Sequence, residues 1–105
     1  MNDSSNNIRF SYLYRDGGNY KLYGEVIFSN QEAMLVDEIE LQIRQHLLDG
    51  EFFNPTDWGI VPLSFDKYDE EMDHQWHEYE RIEETRDENS DNRSIKTFIE
   101  EISCK

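Results

Sequence analysis

Ile8-Arg9-Phe10-Ser11-Tyr12-Leu13-Tyr14-Arg15, the reversal Asp16-Gly17-Gly18-Asn19 and the return from Tyr20 to Ser29 are the residues on which the fold turns. Ile8, Phe10, Tyr12 and Tyr14 alternate with Arg9, Ser11, Leu13 and Arg15, the two-residue period of a strand whose faces differ. Glycine and asparagine tolerate positive φ, so residues 16–19 suit a tight reversal, and the pattern predicts a hairpin of strands 8–15 and 20–29. Gly24 has no side chain to pack and marks a bulge or a place where another backbone approaches closely. Residues 1–7 are polar and are expected to fray.

Downstream of the hairpin, Ser29 and Glu32 have the spacing of a capping box, and a long helix is expected over 30–49. Val36, Ile39, Ile43 and Leu47 form one stripe of it, with Gly50 at the C-terminal cap position. Met34, Leu41 and Leu48 recur every seven residues on nearly the opposite side, the pattern of a covered face or of a homodimer seam. Phe52, Phe53 and Trp58 alternate with turn-forming residues, as in a loop pinned to the core by its rings. Residues 60–65 read as a third strand, at an edge or with Pro62 at its beginning, because Pro62 donates no ladder bond. His77 to Thr85 fits a strand by alternation and a helix by its glutamates; the alternation favours a strand over 77–84. Residues 86–93 read as a flexible linker, and Ser94 caps a last helix, 94–103, with Ile95, Phe98, Ile99 and Ile102 at helical spacing. The expected architecture is α+β: three to four antiparallel strands packed against one long helix, with a second helix at the end.

With 105 residues the chain has room for one core, and 14 aromatic residues can fill it. Twenty-four acidic residues against ten basic ones leave a formal charge of −14, which repels phosphate backbones and anionic membranes. Direct nucleic-acid and membrane binding are thus disfavoured; a basic protein surface is the expected partner. Asp66 to Asp91 holds twelve acidic and three basic residues in 26 positions. Asp66, Asp69, Glu70, Glu71, Asp73, Glu80, Glu83 and Glu84 are the candidate contacts there, joined by Tyr14 and Arg15 of the hairpin, where cations and tyrosines mix. The competing reading of that hairpin is cross-strand pairing within the sheet. A lone cysteine, Cys104, and no apolar run of membrane-spanning length fit a cytoplasmic protein.

Asp73, His74, His77 and Glu78, with Asp69 nearby, offer the nitrogen and oxygen ligands that a divalent metal accepts. The two histidines share a face only if the segment is helical; in a strand they point apart. Trp76 between them is expected in the core, and His46 is expected to be structural. No carboxylate pair, serine or cysteine has the context that catalysis needs, so an enzyme is not the expected reading and no resident cofactor is expected beyond that metal.

Tyr12-Leu13-Tyr14-Arg15-Asp16-Gly17-Gly18-Asn19-Tyr20-Lys21, Gly24-Glu25-Val26-Ile27-Phe28-Ser29-Asn30 and Asp73-His74-Gln75-Trp76-His77-Glu78 resemble a family of small uncharacterised bacterial proteins. The resemblance spans about the first eighty residues and implies no activity and no catalytic residue. In charge and size the chain is also similar to immunity proteins and phage-encoded inhibitors. Three functions follow as expectations: a regulatory binding protein for a basic partner, of inhibitor or immunity type; a metal-binding module or metal-dependent enzyme centred on His74 and His77; and a homodimeric structural component.

Overall fold

The first strand organises the molecule: burial alternates only at its start, and every residue from Phe10 to Tyr14 is buried. The computed structural model describes residues 6–15, 18, 20–63 and 76–104. β1 (Asn7–Arg15) is central, antiparallel both to β2 (Lys21–Phe28) and to β4 (His77–Thr85). A two-residue strand, β3 (Phe52–Phe53), closes the far side, giving a four-stranded antiparallel sheet in the order β2-β1-β4-β3. Two nine-residue helices, α1 (Val36–Arg44) and α2 (Ile95–Ser103), complete an α+β fold. Ile8, Phe10 and Tyr12 enter the core with Ile39 and Ile43 of α1 and Ile95, Phe98, Ile99 and Ile102 of α2. Phe10 is the hub: its ring centroid lies 5.6–6.4 Å from those of Tyr12, Phe53, Trp58, Tyr79 and Phe98. Edge and tilted contacts of this kind match the electron-poor rim of one ring to the electron-rich face of another.

The strand expected over 77–84 is present as β4, and its parity changes midway. Tyr12 faces Tyr79 and Ser11 faces Arg81, which leaves Glu80 as an extra residue in the ladder. A bulge of this kind resets the alternation. It lets His77 and Tyr79 on one side of it, and Ile82 on the other, all reach the core. Across β2, Gly24 is not a bulge, because the β1–β2 register runs unbroken from Ile8↔Phe28 to Arg15↔Lys21. A Cβ at Gly24 would come within 2.9 Å of the Tyr12 ring, so the missing side chain makes room for that tyrosine, whose hydroxyl donates to the Val61 carbonyl at 2.7 Å.

The long helix expected over 30–49 is replaced by the much shorter α1. Asn30, buried, accepts from the Met34 amide and donates to the Met34 carbonyl, and Ala33 has φ 52°, so a side-chain-closed loop replaces the first helical turns. Leu35 is the N-cap and supplies no side-chain cap; the Ser29–Glu32 capping box does not form, and Ser29 instead bridges to Ser94. At the other end Leu48 and Phe52 exchange backbone hydrogen bonds around Asp49 and Gly50, whose φ values are 54° and 73°. Asp-Gly with positive φ at both residues is a hairpin signal, and it turns the chain into β3. Gly50 thus serves a hairpin and does not cap a helix.

A strand expected over 60–65 is not formed by residues 60–63, and residues 64 and 65 lie outside the described residues. Its place as third strand is taken by Phe52–Phe53, which the alternation of rings and turn formers had made a loop. The last helix matches expectation: Ser94 Oγ accepts from the Thr97 amide, and the apolar stripe of α2 is buried. Residues 86–93 contain no helix or strand. Within them the Ser90 amide donates to the Ile27 carbonyl and Ser90 Oγ accepts from the Ile27 amide, both at 2.9 Å. Arg93, on the same segment, donates to the Trp58 and Gly59 carbonyls and to Asp91 and Glu101.

Candidate functional site

The β4 glutamates face two ways. On the sheet face away from the helices, Arg9 lies 2.7 Å from Asp87, 3.1 Å from Glu83 and 3.7 Å from Glu25, and Arg15 grips Glu78 with two bonds of 2.8 and 3.2 Å. Arg81 sits between Glu83, at 3.4 Å, and Glu80, at 3.8 Å. The Arg9 hydrogen bond holds the Glu83 carboxyl below the usual carboxylate range. Glu78 and Glu83 are therefore neutralised within the sheet, the cross-strand reading of the hairpin charges. Glu84 is exposed, with the Asn6 amide 3.5 Å away. Tyr14, a candidate contact by sequence, is 1 % exposed and packs against His77 with ring centroids 5.0 Å apart. Asp66, Asp69, Glu70, Glu71, Asp73 and His74 lie outside the described residues.

His77 and Glu78, adjacent in a strand, point to opposite faces and do not converge on one ion. His77 is buried beside Tyr12, Tyr14 and Phe53, and its Nε2 accepts from the Leu63 amide at 2.9 Å. That bond assigns the neutral ring with its proton on Nδ1. No group of three or more histidine, cysteine or carboxylate residues is placed to hold a metal among the described residues. The proposed seam is divided as well: Met34 precedes α1 and packs against the core, whereas Leu41 on α1 is 61 % exposed and Leu48 beyond it 50 % exposed.

The feature with binding geometry lies at the β3 edge. α1 ends in a turn through Gln45 and His46, the Asp49-Gly50 hairpin returns as β3, and residues 54–59 fold back as a tight turn whose Trp58 stacks on Phe53 with centroids 4.6 Å apart. Between these pieces runs a groove of about 340 Å³ with Phe52, Phe53 and Trp58 in its floor and Leu48 and Trp76 on its walls. Trp76, expected in the core, is 44 % exposed here. It immediately precedes β4, at the sheet's end. His46 is hydrogen bonded to Ser103 at 3.1 Å, tying the end of α1 to the end of α2 beside the groove. Asp57 lines the rim, and Asp49 and Glu51 are exposed in the adjoining hairpin. None of these three carboxylates forms an ion pair among the described residues.

No family model, curated protein or solved structure matches this chain. No helix among the described residues is long and apolar enough to cross a membrane. The groove escaped the sequence reading because its residues come from four separate segments. The one local signal for it was Asp49-Gly50, which places Phe52 and Phe53 at a sheet edge.

Proposed function

We propose that this protein is a small binding protein that holds a cationic segment of a partner protein in the groove between β3, the 54–59 turn and the end of α1. The observation that supports this most is the pairing of an aromatic groove with rim carboxylates that form no ion pair among the described residues. An arginine or lysine side chain suits such a site: its aliphatic stem packs on Phe52 and Leu48, its charged head lies over an indole face, and Asp57 answers the charge. The surplus negative charge of the whole chain adds long-range attraction and speeds encounter with a basic surface. Occupying that surface is how such a protein acts as an inhibitor or immunity-type factor.

Both tryptophans of the chain line this groove, so their emission reports directly on its occupancy. Titration with an arginine-rich peptide should change the emission saturably, weaken with added salt, and fail in Asp57→Asn and Trp76→Ala. A matched glutamate-rich peptide should give no change. Equal responses to both peptides, or none to either, would overturn the proposal.

A further inference from the structure

Among the described residues, the outer edge of β2 is closed along only part of its length. Near its C-terminal end, Ile27 donates to Ser90 Oγ and its carbonyl accepts from the Ser90 and Asp91 amides. The next outward position, Ser29, bridges to Ser94 and accepts from the Ile95 amide at 2.7 Å. Ile27 thus points its amide and carbonyl away from β1, and strand alternation gives the same orientation to Glu25, Tyr23 and Lys21. Among the described residues nothing pairs with the edge at these three positions. Unpaired strand edges template the addition of another strand.

The side chains along this edge are complementary to themselves. We propose that β2 pairs antiparallel with β2 of a second copy of this chain, about a two-fold axis at Tyr23. In that register Tyr23 faces the partner's Tyr23, Lys21 faces the partner's Glu25, and Glu25 faces the partner's Lys21. All three positions carry outward backbone groups, so each facing pair exchanges two hydrogen bonds. Their side chains share the sheet face opposite the helices; Tyr23 is 61 % exposed, and Lys21 and Glu25 are exposed beside it. Within its own sheet Lys21 faces Arg15, a like charge, and forms no ion pair among the described residues. A second copy brings a carboxylate, its Glu25, to face this lysine. The interface is isologous and closed, since residues 90–94 block the remainder of the edge and further strands have no place to add.

Sedimentation velocity over a concentration series up to millimolar protein tests the pairing. The wild type should show a concentration-dependent dimer. Glu25→Lys sets two lysines against two lysines and Lys21→Glu sets two glutamates against two glutamates, so each should raise the dimer dissociation constant about tenfold or more. An equimolar mixture of the two variants has opposite charges at both facing pairs and should dimerise again. Tyr23→Pro removes one outward amide without touching a bond to β1, and should give a folded monomer by circular dichroism. A wild type that stays monomeric throughout would overturn the inference. So would a dimer indifferent to these substitutions, or variants whose mixture fails to reassociate.

Discussion

Replacing Arg93 with alanine removes one of the side chains that tie the 86–93 segment to the rest of the molecule, beside Ser90 and Asp87. Its guanidinium donates to the Trp58 and Gly59 carbonyls at 3.0 and 2.9 Å, to Asp91 at 2.9 and 3.0 Å and to Glu101 at 2.8 Å. It also lies 5.1 Å from the Phe98 ring centroid and 5.5 Å from that of Phe28. The side chains of Arg93 and Asp91 are 16 % and 19 % exposed, so the pair falls between two limits. An exposed pair contributes at most about 1 kcal/mol, whereas stripping one partner from a fully buried pair costs about 3–5 kcal/mol. A loss of about 2–3 kcal/mol is expected, a fall in Tm of roughly 10–20 °C for a domain of this size. Lysine restores the charge but not the fork, so Arg93→Lys should recover less than half of the loss. The Arg93 hydrogen bond holds the Asp91 carboxyl below its ordinary range, so its contribution is complete above that range and is lost as pH falls through the lowered folded-state value. The gap between wild type and Arg93→Ala should accordingly narrow in acid. Thermal melts by circular dichroism at neutral and acid pH measure both effects. A neutral-pH shift of only a few degrees would refute the reasoning and assign the segment's anchoring to Ser90 and the Ser29–Ser94 bridge.

Three further outcomes are expected. Gly24→Ala places a methyl 2.9 Å from the Tyr12 ring, which is held by its own hydrogen bond, and should cost about 1–3 kcal/mol in chemical denaturation; a neutral result would show that Tyr12 can shift freely. Ser94→Ala removes the hydroxyl that accepts from the Thr97 amide and should cost about 1 kcal/mol, with faster amide exchange confined at first to the start of α2. His77→Phe keeps a ring in the core but takes away the acceptor of the Leu63 amide, for a loss of about 1–2 kcal/mol. The Leu63 amide should then exchange much faster than in the wild type, and unchanged exchange would mean that this bond does not hold the 61–63 segment.

Much of the sheet was legible because its signals are local. The two-residue alternation from Ile8 to Tyr14 sorts the faces of β1, and the later alternation favours a strand at β4 over a helix despite the glutamates. Ser94 and the stripe from Ile95 to Ile102 likewise define α2 from within a short window. The first helix misled because Ile39, Ile43 and Leu47 are buried and Val36 packs against them partly buried, although Leu47 lies beyond the end of α1. Periodicity records burial, and Leu47 reaches the core from the turn that follows the helix. Asn30 and Asp49 end the regular structure through a side-chain-closed loop and a positive-φ turn, neither of which enters a hydrophobic pattern. The bulge at Glu80 left a trace, the change of parity between Tyr79 and Ile82, that only a register against β1 makes readable.

By itself the amino-acid order determined the central hairpin, the closing helix and the large negative surplus, since each depends on neighbours within a few positions or on a simple sum of charges. Tertiary structure alone decided which carboxylates the arginines neutralise, that His77 is a core acceptor and Trp76 a groove wall, and which part of the β2 edge is left unpaired among the described residues. Those outcomes are set by residues brought together from distant parts of the chain. Charge pairing, hydrogen bonding and exposure all depend on separations of a few ångströms, which sequence distance does not encode.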